Sequence, residues 1–272
     1  FCFTVCGGRR RRRRRRLEEG THLRHLQVVQ PIIALGACED FGLMAGSTAT
    51  CAGSFDCDII GGYLGVSPAG TSVTGNFDGV IALTEDSAGC AADGLAAWTL
   101  GRATTGTTMV AEMGGKTFIP GTYFSAPLTV AANTVVTLDA EDKEDAVFLF
   151  LSGSYMVTGA NTHFILKNAA GGDTDVVQAK NILFALTAAA TTGADSTLQG
   201  SILAGAAVTL GARSDVSGYV LATAAMTVGQ NCNLNSAALR PTTVSSVVTS
   251  PVETVISDAL CFTNDNRVFD AC

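Results

Sequence analysis

The sequence predicts a mainly β protein, a parallel β-solenoid with one α-helix packed along one face. Three observations predict it. Glycine occurs 30 times and 47% of residues are apolar, while only 15% are charged. That suits short stacked strands better than helices, which draw on Leu, Glu and Lys. The segments ATTGADSTL, VTLGARSDV and MTVGQNCNL, within Ala190–Leu234, recur every eighteen residues. A fixed period of short β-type runs marks coils that cover one another's apolar edges. Finally, a stretch near residues 86–105 leaves the β pattern for apolar residues at helical spacing.

Residues 1–37 are expected to be a leader or disordered segment. Arg9–Arg16, followed by LQVVQPIIALGAC, has the order of a charged region, a weak apolar region and a small-residue cleavage site. Gln27, Gln30 and Pro31 make the apolar part poor, so a disordered leader is preferred over a nucleic-acid or membrane-binding tail. The body is assigned to residues 38–240 and opens with Gly-punctuated short segments over Phe41–Gly79, read as the first coils. The helix follows, with Asp86 or Ser87 as N-cap and a face formed by Ala88, Ala91, Ala92, Leu95, Trp98 and Ala103. Gly89, Gly94 and Gly101 weaken it in isolation, so it needs a flat partner, with Trp98 as anchor. Gly114–Tyr123 reads as a return loop, turning at Pro120-Gly121.

Two further segments, Leu128–Val136 and Met156–Phe164, join the repeat. All five then align in columns: Ala131, Gly159, Gly193, Gly211 and Gly229; Asn133, Asn161, Asp195, Arg213 and Asn231; and a buried-type column of Val136, Phe164, Leu198, Val216 and Leu234. Between them lie the unbroken apolar runs Val147–Leu151, Asn181–Leu186, Ser201–Gly205 and Tyr219–Thr223. A run without alternation is a strand buried on both sides. These strands therefore face the solenoid core on one side and the helix on the other. Residues 241–272 lose the repeat and are expected to be a tail or cap for the open end of the stack.

The net charge of −7 conceals an acidic body, since without Arg9–Arg16 there are 9 basic residues against 24 acidic ones, or −15. No basic stripe remains for phosphates, which argues against nucleic-acid binding. No run of eighteen apolar residues suggests a membrane span. Nine cysteines, with Cys51 and Cys57 closing one small loop and Cys261 and Cys272 another, point to disulfides and an oxidising, extracellular setting. No metal or cofactor motif is present: C-x-x-C is missing and there are only three histidines.

Alternation fixes which side chains point outward. With Val208 and Leu210 directed inward, Thr209 faces out, as does Thr227 between Met226 and Val228. Register then gives an outward ladder of Thr129, Val157, Thr191, Thr209 and Thr227. Threonine is stiff at χ1 and offers one methyl and one hydroxyl, so the ladder is regular and amphipathic on the scale of a water molecule.

The ordered motifs GYLGVSP (Gly62–Pro68), the Ala-rich helix, FIPGTY (Phe118–Tyr123), LTVAANTVVTLDA, AVFLFLSGS (Ala146–Ser154), NILFAL, GSILAG and VSGYVLA resemble the microbial ice-binding (antifreeze) proteins over residues 41–240. The resemblance implies a right-handed, discontinuous parallel β-helix of roughly triangular coils with one long α-helix along one face. It implies that the opening and closing coils are neighbours in space. The implied function is adsorption to an ice crystal surface by a secreted monomer, giving thermal hysteresis and inhibiting ice recrystallisation, without a cofactor. The implied site is the uncovered flat face with its edge, where the family shows Thr, Ala or Gly, any residue, then Thr or Asn. Thr158-Gly159-Ala160-Asn161 matches in full. Thr192-Gly193-Ala194-Asp195 departs at its last position, and the segments at Ala131–Asn133 and Gly229–Asn231 depart at their first. Leu210-Gly211-Ala212-Arg213 departs at both ends, and Arg213 and Val157 are the residues expected to weaken the surface.

Two other classes compete. A polysaccharide-active solenoid enzyme needs converging carboxylates, and the densest acidic run, Asp139–Asp145, reads as a solvated turn, as does GGDTD with Asp173 and Asp175. His163 lies at an outward position with no evident partner. A cell-surface adhesive or glycan-binding module needs a row of exposed aromatics, for which only Phe124 and Tyr155 are candidates.

Overall fold

The computed structural model describes residues 34–67, 72–82, 85–143, 146–168 and 179–236. The expected leader up to residue 33, Arg9–Arg16 included, and the expected tail from residue 241 lie outside the described residues. Among the described residues eight coils stack along one axis, formed in turn by residues 107–118, 121–139, 148–167, 182–199, 201–217, 220–235, 41–60 and 63–67 with 72–78, and Val80–Ala82 stacks on Tyr63–Gly65 as a further rung. Each coil has three sides. The strand pairs between coils are parallel and in register, with Thr197, Leu198 and Gln199 opposite Asp215, Val216 and Ser217 as one case. The long strand Cys57–Val66 turns a corner and joins two sides into one fifteen-stranded sheet, while the third side is a separate seven-stranded sheet.

The first coil lies beside the last. Phe41–Ala45 pairs with Val220–Ala222, Ala49–Ala52 with Met226–Gly229, and Cys57–Val66 with Asn233–Asn235. The helix Glu85–Ala103 carries the chain back along the stack to begin again at the far end. The stretch read as a return loop completes that far end. Thr117–Phe118 pairs with Thr137 and Leu138, and Gly121–Ser125 pairs with Phe148–Ser152. A two-residue strand is too short to show alternation in sequence.

Inward side chains fill the axis. Tyr123, Phe150 and Phe184 occupy one rung position and stack at 5.4 and 5.1 Å between centroids, with Phe118 and Phe164 edge-on. The four unbroken apolar runs contribute strands buried on both sides. Their outward Leu149, Leu151, Leu183, Leu203 and Leu221 form a second apolar cluster with the helix.

The helix meets that cluster with a different face from the one expected. Ser87, Cys90, Gly94, Ala97 and Gly101 are buried, whereas Ala88, Ala92, Leu95 and Ala103 are exposed. A Cβ on Gly94 would lie 3.1 Å from Leu221 Cδ2 and 3.2 Å from Cys38 Sγ. Small residues win the contact because the sheet already presents leucines, and a close approach loses less packing than a second layer of large side chains. Trp98 is the anchor, half-buried, with its indole N–H donating to the Leu186 carbonyl at 2.6 Å. The Cys38–Cys90 disulfide ties the helix to the segment before the first coil, where Leu35 is buried and the Ala37 N–H donates to Asp93.

Candidate functional site

The seven-stranded side carries no helix, and its outward ladder is the candidate site. In spatial order the rungs are Thr129, Val157, Thr191, Thr209, Thr227, Thr50 and Thr74. Neighbours on each strand point inward: Val208 and Leu210 are buried beside exposed Thr209. Rungs one strand apart stand about 4.8 Å from each other, the spacing set by the backbone hydrogen bonds. The rungs from Thr129 to Thr227 lie where the repeat places them. Thr50 and Thr74 were not expected, because they come from the opening coils and share no sequence period with the others. The alternation of Ala49, Thr50 and Cys51 was the one available signal.

The ladder is bordered by small residues. Backbone hydrogen bonds stack Tyr155, Ala189, Ala207, Ala225 and Thr48 on one flank. The glycine column and Ala131 run along the other. Thr191, Thr209, Thr227 and Thr50 therefore sit in a strip without a large or charged side chain beside them. Tyr155, 42% exposed, is the exception and rises next to Val157. The hydroxyls of Thr191, Thr209 and Thr227 make no hydrogen bond among the described residues, so they are available to solvent. Those at the ends are engaged: Thr129 donates to Glu112 Oε2 at 3.0 Å, and Thr74 donates to Thr50 Oγ1 at 3.0 Å.

Beyond the glycines the chain turns a corner. Asn133, Asn161, Asp195, Arg213 and Asn231 all have φ between 55° and 59°, the left-handed region in which Asn and Asp are tolerated best. Glycine is required before this turn by close approach of coils. A Cβ on Gly211 would meet the Gly193 carbonyl carbon at 2.3 Å, and one on Gly193 would meet that of Gly159 at 2.2 Å. Ser214 reinforces the corner by donating to the Gly193 carbonyl at 3.0 Å, and the Cys232 thiol does the same to Gly211 at 2.9 Å. Cys232 is free and buried, and burial pushes its thiol pKa up.

Two expected site residues are not on the surface. Thr158 and Thr192 are 4% and 5% exposed. Each hydroxyl instead accepts from a glycine N–H in the next coil, Gly193 and Gly211, at 3.1 Å. They are inward neighbours of the ladder and close its edge from beneath. Arg213 is also different from expectation. Its guanidinium makes a two-point pair with Asp195, at 2.6 and 2.7 Å, which lays the side chain along the corner. That hydrogen bond holds the Asp195 carboxyl below the usual range.

Glu112 ends the ladder opposite Thr129. Its carboxylate accepts from the N–H groups of Gly114 and Ala131 as well as from Thr129. Partial burial opposes its ionisation, but these hydrogen bonds and Lys116 outweigh it and lower its pKa. Backbone donors that would otherwise lie open at the sheet end are thus occupied.

Away from this face, His163 is not isolated: its ring nitrogens lie 3.1 Å from Thr197 Oγ1 and 2.9 Å from Asn161 Oδ1. Within Asp139–Asp145, the described part is a hydrogen-bonded turn, with Asp139 accepting from the Glu141 N–H and from Asn168. Asp173 and Asp175 lie outside the described residues. Phe124 and Tyr155 are both exposed but stand on different sides of the coil. Cys51 and Cys57 form the expected disulfide, Cys38–Cys90 was not expected, and Cys261 and Cys272 lie outside the described residues.

Comparison with known proteins agrees with this architecture. The family model described as ice-binding-like matches residues 77–233. An ice-binding protein from Nostoc sp. (strain HG1) is 31% identical over 185 residues, which is 64% of this chain and 62% of the relative's length. The crystal structure of an ice binding protein from an Antarctic biological consortium superposes with a TM-score of 0.67 at 26% identity, covering 75% of this chain and 91% of that one. That of the ice-binding protein from the Antarctic ascomycete Antarctomyces psychrotrophicus gives 0.63 at 25% identity, covering 74% and 97%.

Proposed function

The chain belongs to the ice-binding-like family, and from that premise we propose that it adsorbs to ice through the threonine ladder. The observation that carries the reading is the flat strip around Thr191, Thr209, Thr227 and Thr50, free of charge and flanked by alanine and glycine. The methyl groups disfavour disordered hydration, and the free hydroxyls of the central rungs hold waters at a fixed spacing. Each methyl shielded from liquid water contributes on the order of 0.8 kcal/mol. One rung could not hold the protein on a crystal, but a rigid array adds many such terms without losing side-chain entropy at each. Adsorbed molecules then pin the growing front, which curves between them, and the local freezing point falls.

The contact residues in this reading are Thr129, Val157, Thr191, Thr209 and Thr227, joined by Thr50, with Ala131, Gly159, Gly193, Gly211 and Gly229 as the edge. Asn133, Asn161, Asp195 and Asn231 line the corner beyond. The protein acts as a non-catalytic monomer outside the cell, consistent with the two disulfides among the described residues. The test is thermal hysteresis and ice recrystallisation inhibition for the parent, Thr209→Tyr and Thr227→Tyr. Activity in the parent that both variants lose supports the face. Full activity in both variants overturns the assignment of the face, and an inactive parent overturns the function.

A further inference from the structure

The corner beside the ladder carries a chain of side-chain hydrogen bonds that crosses three coils. His163 Nδ1 meets Thr197 Oγ1 at 3.1 Å, and His163 Nε2 meets Asn161 Oδ1 at 2.9 Å. Asn161 Nδ2 in turn donates to Asn133 Oδ1 at 3.0 Å. His163 is half-buried on the side of the coil that adjoins the threonine face, in register between Val135 and Thr197. Val135 offers no polar atom, so the ring has one polar neighbour along its ladder, and that neighbour sets its plane.

A carboxamide is a donor at one end and an acceptor at the other, and the two ends exchange by a half-turn of the terminal torsion. An unrestrained Asn at the corner would therefore show ice or water either group. The backbone at Asn133 and Asn161 is already fixed, at φ 59° and 55°, so the freedom that remains is in the side chain, in χ1 and the amide torsion. The ring limits it: with Nε2–H donating to Asn161 Oδ1, Asn161 Nδ2 faces Asn133 Oδ1, and the two amides can reverse only together with the tautomer of the ring. Elsewhere on the corner the task is done differently, since Asp195 and Arg213 hold each other directly.

We propose that His163 is a positioning residue for the edge of the ice-contacting face, coupling the amides of Asn161 and Asn133 to its ring so that they cannot turn independently. The proposal rests on the ice-binding reading for its functional consequence, but the relay itself does not. Loss of the ring frees two edge amides while leaving the ladder, the glycine column and the core in place.

The test compares the parent with His163→Ala and His163→Gln. Thermal hysteresis is measured together with thermal stability and the side-chain NH2 signals of Asn133 and Asn161 in 15N-edited spectra. His163→Ala is expected to move both NH2 signal pairs toward the positions of a solvent-exposed carboxamide and to cut hysteresis about two-fold, with the folded state kept, because networked bonds are lost rather than core contacts. His163→Gln can still bridge Thr197 and Asn161 and is expected to recover part of both. Unchanged NH2 signals in His163→Ala overturn the relay. Shifted signals with unchanged hysteresis overturn its role at the edge. A parent without activity on ice overturns the reading of the face, and the NH2 signals then still decide whether His163 orders the two amides.

Discussion

Arg213 and Asp195 form a two-point ion pair along the corner of the solenoid, at 2.6 and 2.7 Å, one coil apart. The pair occupies two positions at which neighbouring coils carry asparagine, and it keeps two charges at the margin of an otherwise neutral strip. Both side chains are about half exposed. An exposed pair contributes little to stability, so it can be exchanged without unfolding the stack. Replacing both residues, Asp195→Asn with Arg213→Asn, is expected to raise thermal hysteresis and leave the melting temperature nearly unchanged. Arg213→Ala alone leaves Asp195 charged and unpaired and is expected to lower hysteresis. Equal activity in all three proteins would show that the corner lies outside the contact.

The rungs are not equivalent. Thr129 and Thr74 have committed hydroxyls, whereas those of Thr191, Thr209 and Thr227 are free. Thr209→Val removes a free hydroxyl at the centre of the flat strip and is expected to reduce hysteresis more than Thr129→Val does. Both variants keep the β-branched shape. Measuring the two side by side at equal concentration checks the ranking.

Tyr155 stands in a row otherwise made of alanine and threonine, beside Val157. Tyr155→Ala extends the flat strip by one coil. The expected result is higher hysteresis with a folded state retained, since the ring is largely outside the core. A fall in activity would place the contact over the tyrosine instead.

Gly211 separates stacked corners. An added methyl would lie 2.3 Å from the Gly193 backbone, where nothing flexible can give way. Gly211→Ala is expected to destabilise by about 1–3 kcal/mol, read as a lower melting temperature. A melting temperature equal to the parent's would mean that the coils separate there at little cost.

Glu112 makes stability depend on pH. Its carboxyl pKa is lower in the folded chain than in an unfolded one, against the opposing effect of partial burial. Its stabilising contribution is therefore complete above the ordinary glutamate range and disappears as pH falls through the lowered value. Glu112→Gln is expected to melt below the parent at neutral pH and to converge with it in acid. A gap that persists in acid would assign the effect to shape rather than charge.

Much of this architecture could be read from the sequence by itself. The eighteen-residue period from Ala190 to Leu234 set the coil length, and alternation around Thr209 and Thr227 determined which side chains point outward. The unbroken runs at Val147–Leu151 and Asn181–Leu186 identified the helix-covered side. These are consequences of strand geometry, which is local and repeats. The tertiary structure decided what depends on contacts between coils that no period connects. It placed Thr50 and Thr74 on the ladder because the opening coils pack against the closing ones. It gave the inward Thr158 and Thr192 their partners, glycine N–H groups of the next coil. It turned the helix onto its small residues, because the sheet already supplied the leucines. It also paired Arg213 with Asp195 and gave His163 two partners, neither of which spacing along one chain could reveal. A residue's direction follows from its own strand, whereas its partner depends on which strand lies beside it.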